Sequence, residues 1–359
     1  MSATNETGAM NDSHRSTRIL GIAAAAFVLL LWAGAPAAAD PLADQAKAIF
    51  GPLPDSAPNP ANPDSEAKVD LGQMLYFDPR LSKNHDIACN SCHRLDMSGV
   101  DGEPTSPGHK GARGARNSPT TLNAALHFVQ FWDGRSPDVE DQAKGPVLNP
   151  VEMAMPDAAS VEKVLRSIPG YAPLFEKAFP GQDQPITFDN TALAIASFER
   201  RLLTPSRFDA YMEGDDTALT AAEKKGLETF INVGCPTCHM GSTVGGTLYQ
   251  KLGLVKPYPT KDAGRYEVTK KEADRGFFKV PSLRNVTRTG PWFHDGSVKT
   301  LPEAVRLMAR HQLGRELDDA QVASIVTFLG ALEGEVDPAL AKAPELPKSG
   351  PKTPKPDPS

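Results

Sequence analysis

Apolar positions along this chain fall at helical spacing far more often than they alternate. Lys68 to Phe77 and Ala221 to Ile231 each carry an amphipathic face, and each encloses a glycine, Gly72 and Gly226. Two later stretches share a second pattern. Asp189 to Leu203 gathers Leu193, Ile195, Ala196 and Phe198 near one face, and Leu317 to Leu332 gathers Val322, Ile325, Val326 and Phe328. Thr187 and Asp189 near the first, and Asp318 and Asp319 at the second, supply capping oxygens and favourable dipole charge. A shorter amphipathic helix is predicted over Pro302–Arg310. Strand-like alternation is scarce, and long glycine- and proline-rich loops fill the remainder. The order of elements repeats, which predicts a mainly α protein of two tandem units.

The first forty residues read as an export signal. Arg15 and Arg18 precede an apolar run from Ile19 to Trp32, and Ala37-Ala38-Ala39 offers a small-residue cleavage site before Asp40. The run is shorter than the roughly 20 residues of a membrane span, so a signal peptide over 1–39 is favoured over an uncleaved anchor. About 320 residues remain, enough for two domains on the usual size range. The net charge of −6, with no basic stripe, argues against a nucleic-acid partner. Pro52 to Pro63 is a proline-rich lead-in, and 341–359 alternates proline with lysine and small polar residues, which reads as a disordered tail.

The chemistry sits in two copies of Cys-x-x-Cys-His: Cys89-Asn90-Ser91-Cys92-His93 and Cys235-Pro236-Thr237-Cys238-His239. This is the attachment signature of c-type haem, in which two thiols add to the vinyl groups and the next histidine ligates iron. The four cysteines of the chain are all used, so none remains for a structural disulfide. A zinc half-site or a redox dithiol explains one pair but not two with a histidine at the same offset. The motifs imply two covalently bound haems. Covalent haem attachment and export together point to the periplasm. Each motif follows one of the glycine-bearing helices. Glycine costs about 1 kcal/mol there relative to alanine, so its presence in both copies predicts a close helix crossing, as in the small c-type cytochrome fold; two unrelated, tolerated glycines are the alternative. The boundaries expected are 40–207 for a first haem domain and 208–340 for a second.

His93 and His239 are the proximal ligands, and the sixth positions decide what each iron does. Met240 adjoins the second proximal histidine and cannot reach the opposite face; Met308 can, although a plain core methionine is the alternative. The first domain offers His109, on the glycine-rich loop Met97–Arg116, where a ligand can bind in one state and leave in another. Its alternative is a surface histidine. His85 precedes the motif too closely to reach the distal face, and His127 reads as a packed or partly exposed residue.

With these residues assembled, the chain closely resembles the bacterial di-haem cytochrome c peroxidases over about residues 42 to 335. Beyond the haem motifs, the resemblance is carried by Arg116-Asn117-Ser118-Pro119-Thr120, Gln130-Phe131-Trp132-Asp133-Gly134-Arg135, Gln142-Ala143-Lys144-Gly145-Pro146, Val151-Glu152-Met153, Pro281-Ser282-Leu283-Arg284-Asn285 and Phe293-His294-Asp295-Gly296. It implies that the His93 haem is the peroxidatic centre, with His109 its displaceable ligand, and that the His239–Met308 haem receives electrons. Trp132 would lie between the haems on the electron route. Glu152 and Gln142 match the family's distal pair, which moves a proton between peroxide oxygens and orients the substrate. Phe131 would line that pocket, and Lys144 is either near it or a surface charge. The resemblance also implies one calcium ion, held by the Asn117 side chain and the carbonyls of Thr289 and Pro291.

The activity so implied is reduction of hydrogen peroxide to water by a small periplasmic cytochrome c or a cupredoxin. Family members often dimerise with calcium. Two rival readings share the cofactors. The sister group matures methylamine dehydrogenase by oxidising tryptophans of that protein, but carries tyrosine where Met308 stands. A plain di-haem carrier or redox sensor would need neither Glu152 nor a displaceable ligand.

Overall fold

The computed structural model describes residues 40–359; the expected signal peptide lies outside the described residues. No helix among the described residues is long and apolar enough to cross a membrane. The architecture is mainly helical, and the repeat in the sequence is a repeat in space.

In the first unit, the helix Glu66–Phe77 crosses the helix Phe188–Glu199. In the second, Ala221–Val233 crosses Asp319–Gly330 in the same way. The two glycines explain both crossings. A Cβ on Gly72 would collide with the Ala194 carbonyl and Phe198, and one on Gly226 with the Ser324 carbonyl and Phe328. Only the bare backbone of glycine admits the partner helix so closely. The helices start where side-chain oxygens cap them: Ser65, Thr187, Thr220 and Asp318, the last two in reciprocal boxes with Glu223 and Gln321. Leu301–Leu313 is the shorter helix predicted over Pro302–Arg310, extended at its C-terminal end until Gly314 stops it in a left-handed turn. A small antiparallel ribbon, Tyr249–Lys251 with Phe277–Lys279, pairs Tyr249 with Lys279.

Two apolar cores result. One runs from Val69 through Tyr76, Leu165 and Phe175 to Phe198; the other gathers Phe208, Phe230, Ile325 and Phe328. Buried ion pairs tie loops to these cores. Arg284 is fully buried on Asp209, with Nη2 2.6 Å from Oδ1 and Nη1 2.7 Å from Oδ2. Arg200 bridges Asp64 and Glu140.

Two expectations change at the chain ends. Sequence order places the helix Pro41–Ile49 in the first domain, yet Ala43, Ala46 and Phe50 pack into the second core, where Phe50 meets Phe208 edge to face. Conversely, Val336, Leu340 and Ala341 pack against the first core. The segment expected to be a disordered tail has no regular secondary structure but is laid along the first unit. Its proline content removes donors and favours an extended backbone, and Gln73 and Arg80 of the first unit bond to its carbonyls at Lys342 and Pro347 instead.

Candidate haem sites

Each Cys-x-x-Cys-His motif forms a single tight turn that opens onto a cavity. The first cavity, about 1250 Å³ with its mouth, is lined by Cys89, Cys92 and His93 together with Phe131, Trp132, Gln142 and Glu152. The second, about 1680 Å³, is lined by Cys235, Cys238, His239 and Met308.

The donor atoms fit covalently held haem. All four thiols are free, and burial holds Cys89, Cys92 and Cys235 in their neutral form, Cys235 pushed up to about 12. The proximal rings repeat one another. Burial lowers His93, and pushes His239 down to about 4, so both imidazoles are neutral and able to ligate. The carbonyls of Gly99 and Pro119 near His93, and of Val244 and Pro281 near His239, oppose that effect without completing a hydrogen bond at either Nδ1. A backbone carbonyl beside Nδ1 is the arrangement that reserves Nε2 for a metal.

Around the first cavity, Asn149 Nδ2 donates to Glu152 Oε1 at 2.9 Å. Burial lifts the Glu152 carboxyl above the usual carboxylate range, while the nearby Arg135 charge and the Asn149 bond hold it back. Arg135 itself lies over the Phe131 ring. Phe131 takes a left-handed backbone conformation at φ 65°, which turns its ring at the start of the tight turn closed by Gly134. Gln142 ends a short helix capped by Asp138.

Trp132 belongs to both cavities, together with Asn117, Pro119 and Thr120. Its indole Nε1 donates to the Asn117 carbonyl at 2.9 Å, and its own carbonyl accepts from Lys279. The Asn117 amide nitrogen donates to the carbonyls of Glu103 and Pro104, which leaves Oδ1 unspent; Thr289 and Pro291 line the same second cavity. No group of three or more His, Cys, Asp or Glu among the described residues could hold a metal.

His109 stands apart from the rest. It is buried, and Gly108 lines the first cavity, but the imidazole is engaged elsewhere: Nε2 lies 3.2 Å from the main-chain oxygen of Ser359. Lys144 pairs with exposed Asp189 and is a surface charge. His127, read as packed or partly exposed, lines the second cavity with Nδ1 3.2 Å from Lys279 Nζ. Sequence reasoning missed Arg135, Asn149, Lys279 and Glu199. Arg135 closes the Gln130–Arg135 motif; Glu199 gave no signal beyond a charged residue on the apolar side of a helix.

Fold and cavities together define a c-type di-haem protein with two dissimilar sites and one shared wall. The comparisons agree. A model of the di-haem cytochrome c peroxidase family matches residues 66–217. The cytochrome c551 peroxidase of Pseudomonas aeruginosa is 46% identical, over 92% of this chain and 96% of its own. The methylamine utilization protein MauG of Methylorubrum extorquens is 34% identical over 82% of this chain and 86% of its own. Among solved structures, a MauG-like protein associated with microbial copper homeostasis superposes with a TM-score of 0.70 at 28% identity, covering 81% of this chain and 95% of its own. The chain belongs to the di-haem cytochrome c peroxidase family, and is an oxidoreductase of that kind.

Proposed function

We propose that the protein reduces hydrogen peroxide to two waters in the periplasm, taking two electrons and two protons per turnover. A small cytochrome c or a cupredoxin is the electron donor. The observation that carries this reading is the first cavity, where a half-buried carboxylate, an amide and an aromatic ring converge beside His93 and its cysteines.

The haems, when bound, supply electron storage and a Lewis-acid iron. His93 would hold the first, and His239 with Met308 the second. The chain's own groups do the rest. Asn149 fixes one oxygen of Glu152 and leaves Oε2 to accept a proton from the near peroxide oxygen and deliver it to the leaving one. The raised carboxyl suits it to both tasks. Gln142 orients peroxide through its amide, and Phe131 under Arg135 excludes water. Trp132 gives electrons a short path through the common wall. His109 is the displaceable ligand of the first site. A calcium ion on Asn117 Oδ1 and the carbonyls of Thr289 and Pro291 would brace that wall.

The test is oxidation of reduced small cytochrome c by hydrogen peroxide, with haem-loaded protein and calcium, fully oxidised or pre-reduced by one electron. Turnover that Glu152→Gln abolishes, with the resting spectrum unchanged, supports the reading. Turnover only after pre-reduction supports a gate at His109. No turnover with any competent donor overturns the peroxidase.

A further inference from the structure

The extended segment 343–359 is fixed at successive points along the first unit, and its last residue meets the one candidate ligand that the first cavity lacks. Gln73 Nε2 starts the path by donating to the carbonyls of Ala339, Leu340 and Lys342 at 2.9, 3.0 and 3.1 Å. Arg80 then donates to the Pro347 carbonyl at 2.8 Å and to Ser349 Oγ at 3.0 Å. Pro347 packs over Gly170 so tightly that a Cβ there would meet its ring at 2.8 Å. Ser167 Oγ donates to Thr353 Oγ1 at 3.0 Å. The Asp357 amide donates to the Lys83 carbonyl at 3.0 Å, and Lys83 Nζ returns to the Ser359 main-chain oxygen at 2.9 Å. That same oxygen faces His109 Nε2 at 3.2 Å.

The Ser359 main-chain oxygen only accepts, so His109 carries a proton on Nε2 in this contact. A nitrogen that donates its proton to oxygen has no lone pair for a metal; the two partners exclude each other. The loop is docked at its backbone as well. The His109 amide donates to the Glu152 carbonyl at 2.7 Å, and Gly108 lies against Val151 where a Cβ would collide. Lys110 and Gly111, both in the left-handed region, close the tight turn that follows His109.

We propose that segment 343–359 is a strap that supplies the alternative partner of His109, and so holds the first site in its open state. Ser359 is then a positioning residue, acting through His109. This rests on His109 being the displaceable ligand proposed above, and the experiment separates the two claims.

The experiment compares six oxidised, haem-loaded proteins with calcium: the full chain, a chain ending at Lys342 and a chain lacking only Pro358 and Ser359, each with and without His109→Ala. The two-residue deletion keeps the anchors at Gln73, Arg80 and Ser167, so it remains informative where the longer truncation fails to fold. Electron paramagnetic resonance reads the low-spin, two-histidine signal of the first haem, and the methionine-ligated second haem is the internal folding control. Both truncations should raise the two-histidine fraction at least threefold, and His109→Ala introduced into either should remove it. Equal fractions in full and truncated chains, with His109→Ala still removing the signal, would overturn the strap while keeping the displaceable ligand. A signal that His109→Ala leaves unchanged in every background would overturn both.

Discussion

The guanidinium carbon of Arg135 lies 3.3 Å from the centroid of the Phe131 ring, so one cation covers the aromatic wall of the first cavity and reaches the field of Glu152. Replacing Arg135 by methionine keeps an apolar stem over the ring and removes the charge. Arg135 holds the Glu152 carboxyl down, so its loss raises that carboxyl further. Glu152 must be deprotonated to begin its cycle. The acidic limb of the kcat/KM profile for peroxide should therefore move to higher pH. A limb that stays in place would separate Arg135 from Glu152.

Trp132 is the second case, because its indole is common to both cavities. Trp132→Phe removes the Nε1 bond to Asn117 and shortens the aromatic bridge. Donor-driven turnover should fall about tenfold or more, equivalent to about 1.4 kcal/mol in barrier, with haem content unchanged. Stopped-flow measurement of electron passage between the haems checks it; parent-like passage would assign the indole to packing alone.

Glu199 offers a stability test with a defined sign. It lines the first cavity, and burial, reinforced by Glu140 and opposed by Arg200, pushes its carboxyl up to about 8 from an ordinary 4.5. A raised carboxyl favours folding in its protonated form. Its contribution is complete below about pH 4.5 and is lost as pH rises through about 8. Glu199→Gln should match the parent near pH 4.5 and exceed it increasingly toward pH 8. Each kcal/mol recovered should raise the thermal midpoint by at most about 2–4 °C, the shift typical of domains of roughly 150–250 residues. Parallel curves for the two proteins would show that Glu199 is solvated.

The buried pair of Arg284 and Asp209 predicts the largest structural loss. Asp209 also accepts from the Leu53 amide at 2.7 Å, so it joins the second core to the chain's early segment. Asp209→Ala strands a fully buried guanidinium and should cost about 3–5 kcal/mol in chemical denaturation. The double replacement Asp209→Leu with Arg284→Met should restore much of that loss. Equal stability of the single variant and parent would contradict a buried pair.

Much of this molecule was legible in the sequence because it rests on local rules. The haem motifs, the capping residues and the glycine-bearing helices each announce themselves within a few positions, and the crossings at Gly72 and Gly226 follow from the absence of one carbon atom. Residues whose part depends on distant neighbours were not legible. Glu199 looks like any glutamate on a helix until Glu140 and the cavity are placed beside it. The segment after Ala341 has a composition that cannot build a core of its own, which suggested disorder; it is ordered by a surface provided elsewhere, by Gln73, Arg80 and Ser167. The family resemblance implies a displaceable ligand at His109, but the partner of its imidazole in this structure lies 250 positions away, beyond the reach of any local rule.

The exchange of chain ends sets the order in which the protein can be completed. The helix Pro41–Ile49 waits for Phe208 and the second core, and the last seventeen residues return to surfaces synthesised up to 276 positions earlier. Contacts this remote in sequence raise contact order and form late. A cut between residues 207 and 208 would therefore yield two incomplete fragments, each missing an apolar piece carried by the other. Mixed together, those fragments should recover structure by complementation, each donating its end to the core of its counterpart.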